Sequence, residues 1–176
     1  MKQGIVVTGS EASGTKILAE SIIKCMDVSG TIGGPVVPSD GPMLYRRSVP
    51  YGRPSIWPTP SQLANKLEAH GCDNITVVIS TREWFSLVKS HQRQFTDLNE
   101  SKTPSEILEK VRKCYKLIFD DISKNNMNFL ISNYESLIND PENHLRNLAS
   151  VLALPFVGMN VKITNQNKKY IGKDYQ

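Results

Sequence analysis

The chain has 176 residues, 39% apolar and 22% charged, with 21 Lys and Arg against 17 Asp and Glu for a net charge of +4. That length buries a real core, and the composition is that of a globular protein rather than a disordered, collagen-like or membrane-spanning chain. The mild positive balance suits a small anionic ligand; with no run of five like charges and no basic stripe among aromatics, no nucleic-acid partner is expected.

Gly4-Ile5-Val6-Val7-Thr8 reads as a buried strand, and residues 14–27 read as a helix with Ile17, Leu18, Ile22, Ile23 and Met26 on its apolar face. From Val28 to Pro58 glycine and proline punctuate the chain so densely that a long structureless loop is expected, of a length that ordinary connections do not reach. Thr59-Pro60-Ser61 has the form of an N-cap with proline in the first turn, opening a helix to about His70 that Gly71 stops. Asn74–Ser80 is a β-branched run, as a central strand requires, and Glu83–Phe95 follows as a helix. Thr103-Pro104-Ser105-Glu106 opens another helix, Asn128–Ser132 is a further strand, and Asp140-Pro141 starts a last amphipathic helix. Strands alternating with helices predict an α/β fold, a three-layer sandwich with a mainly parallel central sheet, as one domain over residues 1–176.

Cys25, Cys72 and Cys114 are odd in number and widely spaced, which fits free thiols in a reducing compartment, and His70, His91 and His144 show no metal-ligand spacing, so no metal is expected. No apolar stretch reaches membrane-spanning length and no leader opens the chain, so a cytoplasmic protein without membrane contact is expected. Nothing in the sequence sets an oligomeric state.

The segment richest in chemistry is Gly9-Ser10-Glu11-Ala12-Ser13-Gly14-Thr15-Lys16, between the first strand and the first helix. Strand, glycine-bounded loop and helix form a phosphate cradle, because small residues let the backbone wrap an anion and the first helical N–H groups lack intrahelical partners. The bland alternative is a tight turn without a ligand. The order Thr15-Lys16 after Gly14 departs from the G-x-x-x-x-G-K-[ST] loop of nucleotide triphosphatases. Two further segments add to it: Val77–Arg82, a strand ending on arginine with Ser90 eight residues later, and Phe129–Pro141, containing Tyr134-Glu135-Ser136-Leu137, before a helix that leads to Leu154-Pro155-Phe156.

Taken in order, these segments resemble the sulfotransferases that use 3′-phosphoadenosine 5′-phosphosulfate (PAPS). The resemblance implies a P-loop-type fold. It also implies that Ser13, Gly14 and Thr15 hold the 5′-phosphosulfate, that Arg82 and Ser90 hold the 3′-phosphate, and that Tyr134 sits against the adenine. A guanidinium offers a two-pronged fork to a phosphate dianion, and a helix serine adds a hydroxyl. The implied activity is transfer of the sulfuryl group to a hydroxyl or amine on a small-molecule or carbohydrate acceptor, without a metal, releasing adenosine 3′,5′-bisphosphate.

The chain departs from the family pattern at the catalytic positions. Ala12 stands where the family loop carries a cation, and Ile17 where tryptophan is common. Lys16, in the first helical turn, is the nearest replacement cation and a second contact for the cofactor. The family stretch K-x-H-x-P is matched by Arg46-Arg47-Ser48-Val49-Pro50, which puts Arg46 in the lysine position and Ser48 in that of the histidine base. Serine is a poor base at neutral pH, and Glu11, Asp40 and Tyr51 are further candidates. Arg46, Arg47 and Arg53 form a basic cluster in the long loop, suited to an anionic or polyhydroxyl acceptor, to helping hold the cofactor phosphate, or simply exposed. The tail Asn165-Gln166-Asn167-Lys168-Lys169-Tyr170 is placed to return toward the 3′-phosphate. Two other functions fit the cradle: a P-loop phosphotransferase, which needs strand-end carboxylates for Mg²⁺, and a nucleotide-binding protein without catalysis.

Overall fold

The computed structural model describes residues 1–50, 56–95 and 103–169. Five strands, β1 (Gln3–Thr8), β2 (Ser29–Thr31), β3 (Met43–Arg46), β4 (Asn74–Thr81) and β5 (Asn128–Asn133), form one sheet in the order β2-β3-β1-β4-β5. Every pair is parallel. The helices are α1 (Thr15–Cys25), α2 (Pro60–Glu68), α3 (Trp84–Phe95), α4 (Pro104–Lys124), α5 (Tyr134–Asn139) and α6 (Pro141–Val151). A short 3₁₀ turn, Gln166–Lys169, follows them.

The predicted α/β sandwich is the observed one, and the alternation of the strands builds it. Ile5 and Val7 of β1, Leu44 of β3 and Val78 of β4 pack with α1 and α6 on one side of the sheet. Val6, Met43, Tyr45, Val77 and Ile79 pack with α2 and α4 on the other. Both sides are therefore buried, as a parallel sheet requires. The proline-led helices start where the sequence places them. Thr59 and Thr103 each close a capping box, with Gln62 and Glu106, and Pro60 and Pro104 take the first helical positions.

The structureless loop expected over residues 28–58 is corrected. It holds two strands, β2 and β3, and β3 is an inner strand beside β1. Met43, Leu44 and Tyr45 are too short a run to stand out from the surrounding glycine and proline, and only pairing with β1 makes them a strand. The short helix α5 was also not anticipated; Asn133 caps it, its Oδ1 accepting from Ser136 N at 3.0 Å. Cys25, Cys72 and Cys114 are buried free thiols. Among the described residues no helix is long and apolar enough to cross a membrane.

The chain leaves β1 for β2 and β3 on one side, then crosses to β4 on the other. The strand order thus reverses between β1 and β4, and in open parallel sheets that reversal opens a crevice at the carboxyl ends of the strands. The glycine-bounded loop sits there.

Candidate functional site

The loop after β1 is a wound and anchored structure. Ala12 (φ 64°) and Gly14 (φ 94°) hold left-handed backbone on either side of Ser13. Such turns curl the chain into a concave seat for an anion. A Cβ at Gly14 would lie 2.4 Å from Cδ2 of Tyr134, so the ring of Tyr134 rests directly on the glycine. Ser13 N donates to Ser10 O at 3.1 Å, and Ser80 Oγ of β4 donates to Ser13 O at 2.7 Å. Tyr115 Oη of α4 donates to Ser80 O at 2.9 Å. On the other flank Val49 N donates to Gly9 O at 2.8 Å and Glu11 N to Val49 O at 3.2 Å. The loop is thereby tied to β4, to α4 and to the segment leaving β3.

A cleft of about 720 Å³ opens beside this loop, within the size range of small-molecule and cofactor sites. Of the residues singled out from the sequence, Gly14, Thr15, Lys16, Arg46, Ser48, Arg82, Ser90 and Tyr134 all line it, although they come from five separate stretches of the chain. Ser13 is the exception. Its side chain is fully buried and its N–H is turned to Ser10, so it shapes the loop and does not face the cleft.

The first turn of α1, Thr15 to Ile17, faces the cleft, and no side chain caps the helix. An N-terminus of this kind favours an anion. Arg46, at the end of β3, donates to Thr15 Oγ1 through Nε at 3.0 Å and Nη2 at 2.7 Å. This places a guanidinium over the loop from the side opposite Arg82. Lys16 is at the rim, with 70% of its side chain exposed and its Nζ 3.9 Å from Glu20 Oε1. Arg47, one residue beyond Arg46, turns the other way; it donates to Gly34 O at 3.1 Å and lies over the ring of Tyr45 at 4.9 Å. The basic cluster is therefore split, with Arg46 alone of the two described arginines in the cleft; Arg53, like Tyr51, lies outside the described residues.

Arg82 follows β4 and donates from Nη1 to Ala12 O at 2.8 Å and from Nε to Asn167 Oδ1 at 3.0 Å, with Nη2 on the same oxygen. Its guanidinium also stacks over Tyr134 at 4.5 Å. Asn167 Nδ2 donates to Glu135 Oε1 at 3.1 Å, and Gln166 N donates to Tyr134 Oη at 3.3 Å. The chain thus returns to the cleft beside Arg82, where Val161, Lys162, Thr164 and Gln166 line it. Lys162, Thr164 and the Glu135–Asn167 link carried no spacing or motif signal, because irregular chain approaching a site has no periodicity to read.

Glu11 completes the loop. Lys110 Nζ of α4 donates to its Oε2 at 3.0 Å, and His91 Nε2 of α3 lies 3.7 Å from the same oxygen. Burial pushes the Glu11 carboxyl up, but the hydrogen bonding and charge of His91 and Lys110 outweigh it and hold it below its ordinary value. Among the described residues no group of three His, Cys, Asp or Glu side chains is placed to hold a metal ion.

The fold is that of sulfotransferases. The chain is similar to the sulfotransferase domain from the curacin biosynthetic pathway, with a TM-score of 0.57 at 12% identity over 89% of this chain and 75% of that one. It is also similar to mouse sulfotransferase SULT7A1 complexed with PAP (TM-score 0.50, 15% identity, 96% of this chain and 62% of that one). A sulfotransferase from Alicyclobacillus acidocaldarius gives a TM-score of 0.51 at 11% identity over 97% of this chain and 90% of that one. No family model matches the sequence, and no curated protein matches it.

Proposed function

We propose that this chain binds PAPS in the cleft beside the Gly9–Lys16 loop and transfers its sulfuryl group to a hydroxyl or amine of a small-molecule or carbohydrate acceptor. The observation that carries this reading is the convergence of Gly14, Thr15, Arg82, Ser90 and Tyr134 on one cleft. The resemblance to sulfotransferases predicts that set from the sequence. The likeness in fold supports it, and one of those structures holds PAP.

The residues suit the cofactor. The concave loop and the uncapped start of α1 offer backbone N–H groups to the 5′-side anion. Arg82 and Ser90 offer a guanidinium and a hydroxyl to a 3′-phosphate, and Tyr134 offers an aromatic ring to a base. When bound, PAPS supplies an activated sulfuryl group whose leaving oxygen gains negative charge. Arg46, held on Thr15 Oγ1, brings a cation to the loop that Ala12 cannot, and Lys16 supplies a second at the rim. Charge stabilisation of this kind acts mostly in the transition state.

A second reading, a nucleotide-binding protein without catalysis, is favoured by two positions: Ala12 in the loop and Ser48, a buried hydroxyl, where the resemblance puts a histidine. The test begins with binding. Adenosine 3′,5′-bisphosphate should raise the melting temperature without Mg²⁺ and more than adenosine 5′-monophosphate does. Arg82→Ala should weaken the bisphosphate by about 2 kcal/mol, roughly 30-fold, and the monophosphate far less, through the lost tie to Ala12 O alone. Equal shifts from the two nucleotides, or a shift only with Mg²⁺–ATP, would sink the proposal. Turnover of PAPS with a panel of acceptors then separates the enzyme from the binding protein.

A further inference from the structure

We infer that Glu11 is the general base that deprotonates the acceptor. This rests on the sulfuryl-transfer reading above. Of the candidates left open by the sequence that fall among the described residues, Asp40 is exposed and does not line the cleft, and Ser48 has too weak a basicity. Two carboxylates line the cleft among the described residues, Glu11 and Glu20. Glu20 lies in the second turn of α1, beside Lys16 at the rim. Glu11 lies in the loop itself, and its N–H donates to Val49 O, which puts its backbone beside Ser48, the position that the family resemblance gives to the base.

An acidic side chain inside an anion-binding loop opposes binding of the anion, so its presence needs a reason. Its surroundings hold it in one charge state. Lys110 from α4 and His91 from α3 both approach Oε2 in a small pocket with Ser10, Val49 and Pro50. The Glu11 side chain is 19% exposed, while those of His91 and Lys110 are 3% and 18% exposed. The carboxyl is ionised at neutral pH, the form a base must have. A carboxylate that is weak on the ordinary scale suffices here, because an alcohol proton becomes acidic as its oxygen bonds to sulfur.

The step balances. The acceptor oxygen forms a bond to sulfur, and the bond between sulfur and the bridging phosphate oxygen breaks with its electron pair going to adenosine 3′,5′-bisphosphate. The acceptor proton passes to Glu11 and from there to solvent after product leaves. Lys110 holds the carboxylate in place without taking part in the transfer.

The test uses the full chain with PAPS and the acceptor panel, and reads turnover and, separately, adenosine 3′,5′-bisphosphate affinity by isothermal titration. Glu11→Gln should cut turnover by ~100-fold or more and leave bisphosphate affinity unchanged or raised, since a negative charge is removed from the cleft. Glu11→Asp keeps the charge and the partner of Lys110 but withdraws the carboxylate by one methylene. It should fold as the native protein does and still lose ~10-fold or more in turnover. Asp40→Asn should be unaffected. Normal turnover in both Glu11 variants would overturn the inference, as would loss of turnover matched by an equal loss of bisphosphate affinity, which marks a structural role. A native chain that binds bisphosphate but turns over no acceptor also overturns it, while leaving the cofactor site standing. A chain that does not bind bisphosphate overturns the function on which it rests.

Discussion

Arg82 donates through both Nε and Nη2 to the single amide oxygen of Asn167. The residues are 85 positions apart in the chain, and the fork taken by the amide is the one a phosphate would use side-on. Asn167 is itself held by Glu135. A 3′-phosphate that takes this fork must displace a neutral acceptor, so the affinity observed is the difference between the two contacts. Asn167→Ala is expected to tighten adenosine 3′,5′-bisphosphate by ~3- to 10-fold, the worth of about one such hydrogen bond, with adenosine 5′-monophosphate unchanged. Titration of both nucleotides on both proteins measures it. Weaker bisphosphate binding in the variant would instead show that Asn167 orients Arg82 for the phosphate.

Gly14 combines a left-handed backbone with a ring pressed on its Cα. Gly14→Ala forces a Cβ to 2.4 Å from Tyr134 Cδ2, with backbone on the other side of the loop tied to Ser80. The expected cost is on the order of 2–3 kcal/mol from strain and displacement of the ring. Urea unfolding checks the stability. Loss of nucleotide binding should accompany it, because Tyr134 also lines the cleft.

The two cations beside the loop, Arg46 and Lys16, are held very differently. Arg46 is fixed on Thr15 by two hydrogen bonds, whereas Lys16 is largely exposed beside Glu20. A preorganised charge stabilises a transition state better than one that must be recruited from solvent. Arg46→Met should therefore cost ~100-fold or more in turnover, and Lys16→Met markedly less. Single-turnover rates with saturating PAPS make the comparison. A larger effect at Lys16 would assign it the role that Ala12 leaves open.

The Glu11–Lys110 pair has a pH signature. Because the folded Glu11 carboxyl lies below its ordinary value of 4.5, its contribution to stability is full above that value and is lost as pH falls through the folded value beneath it. Lys110→Met leaves a half-buried carboxylate without its main partner and should destabilise the fold at pH 7 by about 1–2 kcal/mol. Denaturant midpoints of the two proteins should converge as the pH falls through the lowered folded value of Glu11, beneath which the carboxyl is protonated in both. A gap that persists unchanged in acid would assign the loss to packing of the lysine stem.

By itself the sequence determined the features that local physics controls. The β-branched run of β4, the threonine–proline caps of α2 and α4, the glycine-bounded loop and the apolar periodicity of α1 are all written within a few neighbouring residues. Those signals sufficed for the α/β layering, and the family-like spacing of Gly14, Thr15, Arg82, Ser90 and Tyr134 sufficed for a set of residues that the fold does bring to one cleft. Tertiary structure decided the rest, because it depends on contacts between distant segments. Met43–Arg46 is a strand only because β1 pairs with it, and that pairing carries Arg46 to Thr15 while sending Arg47 the opposite way. Ser13 matches the loop pattern yet faces inward, since β4 holds its carbonyl. Glu11 was one of several candidate bases in the sequence, and only the packing of α3 and α4 beneath the loop places His91 and Lys110 against it.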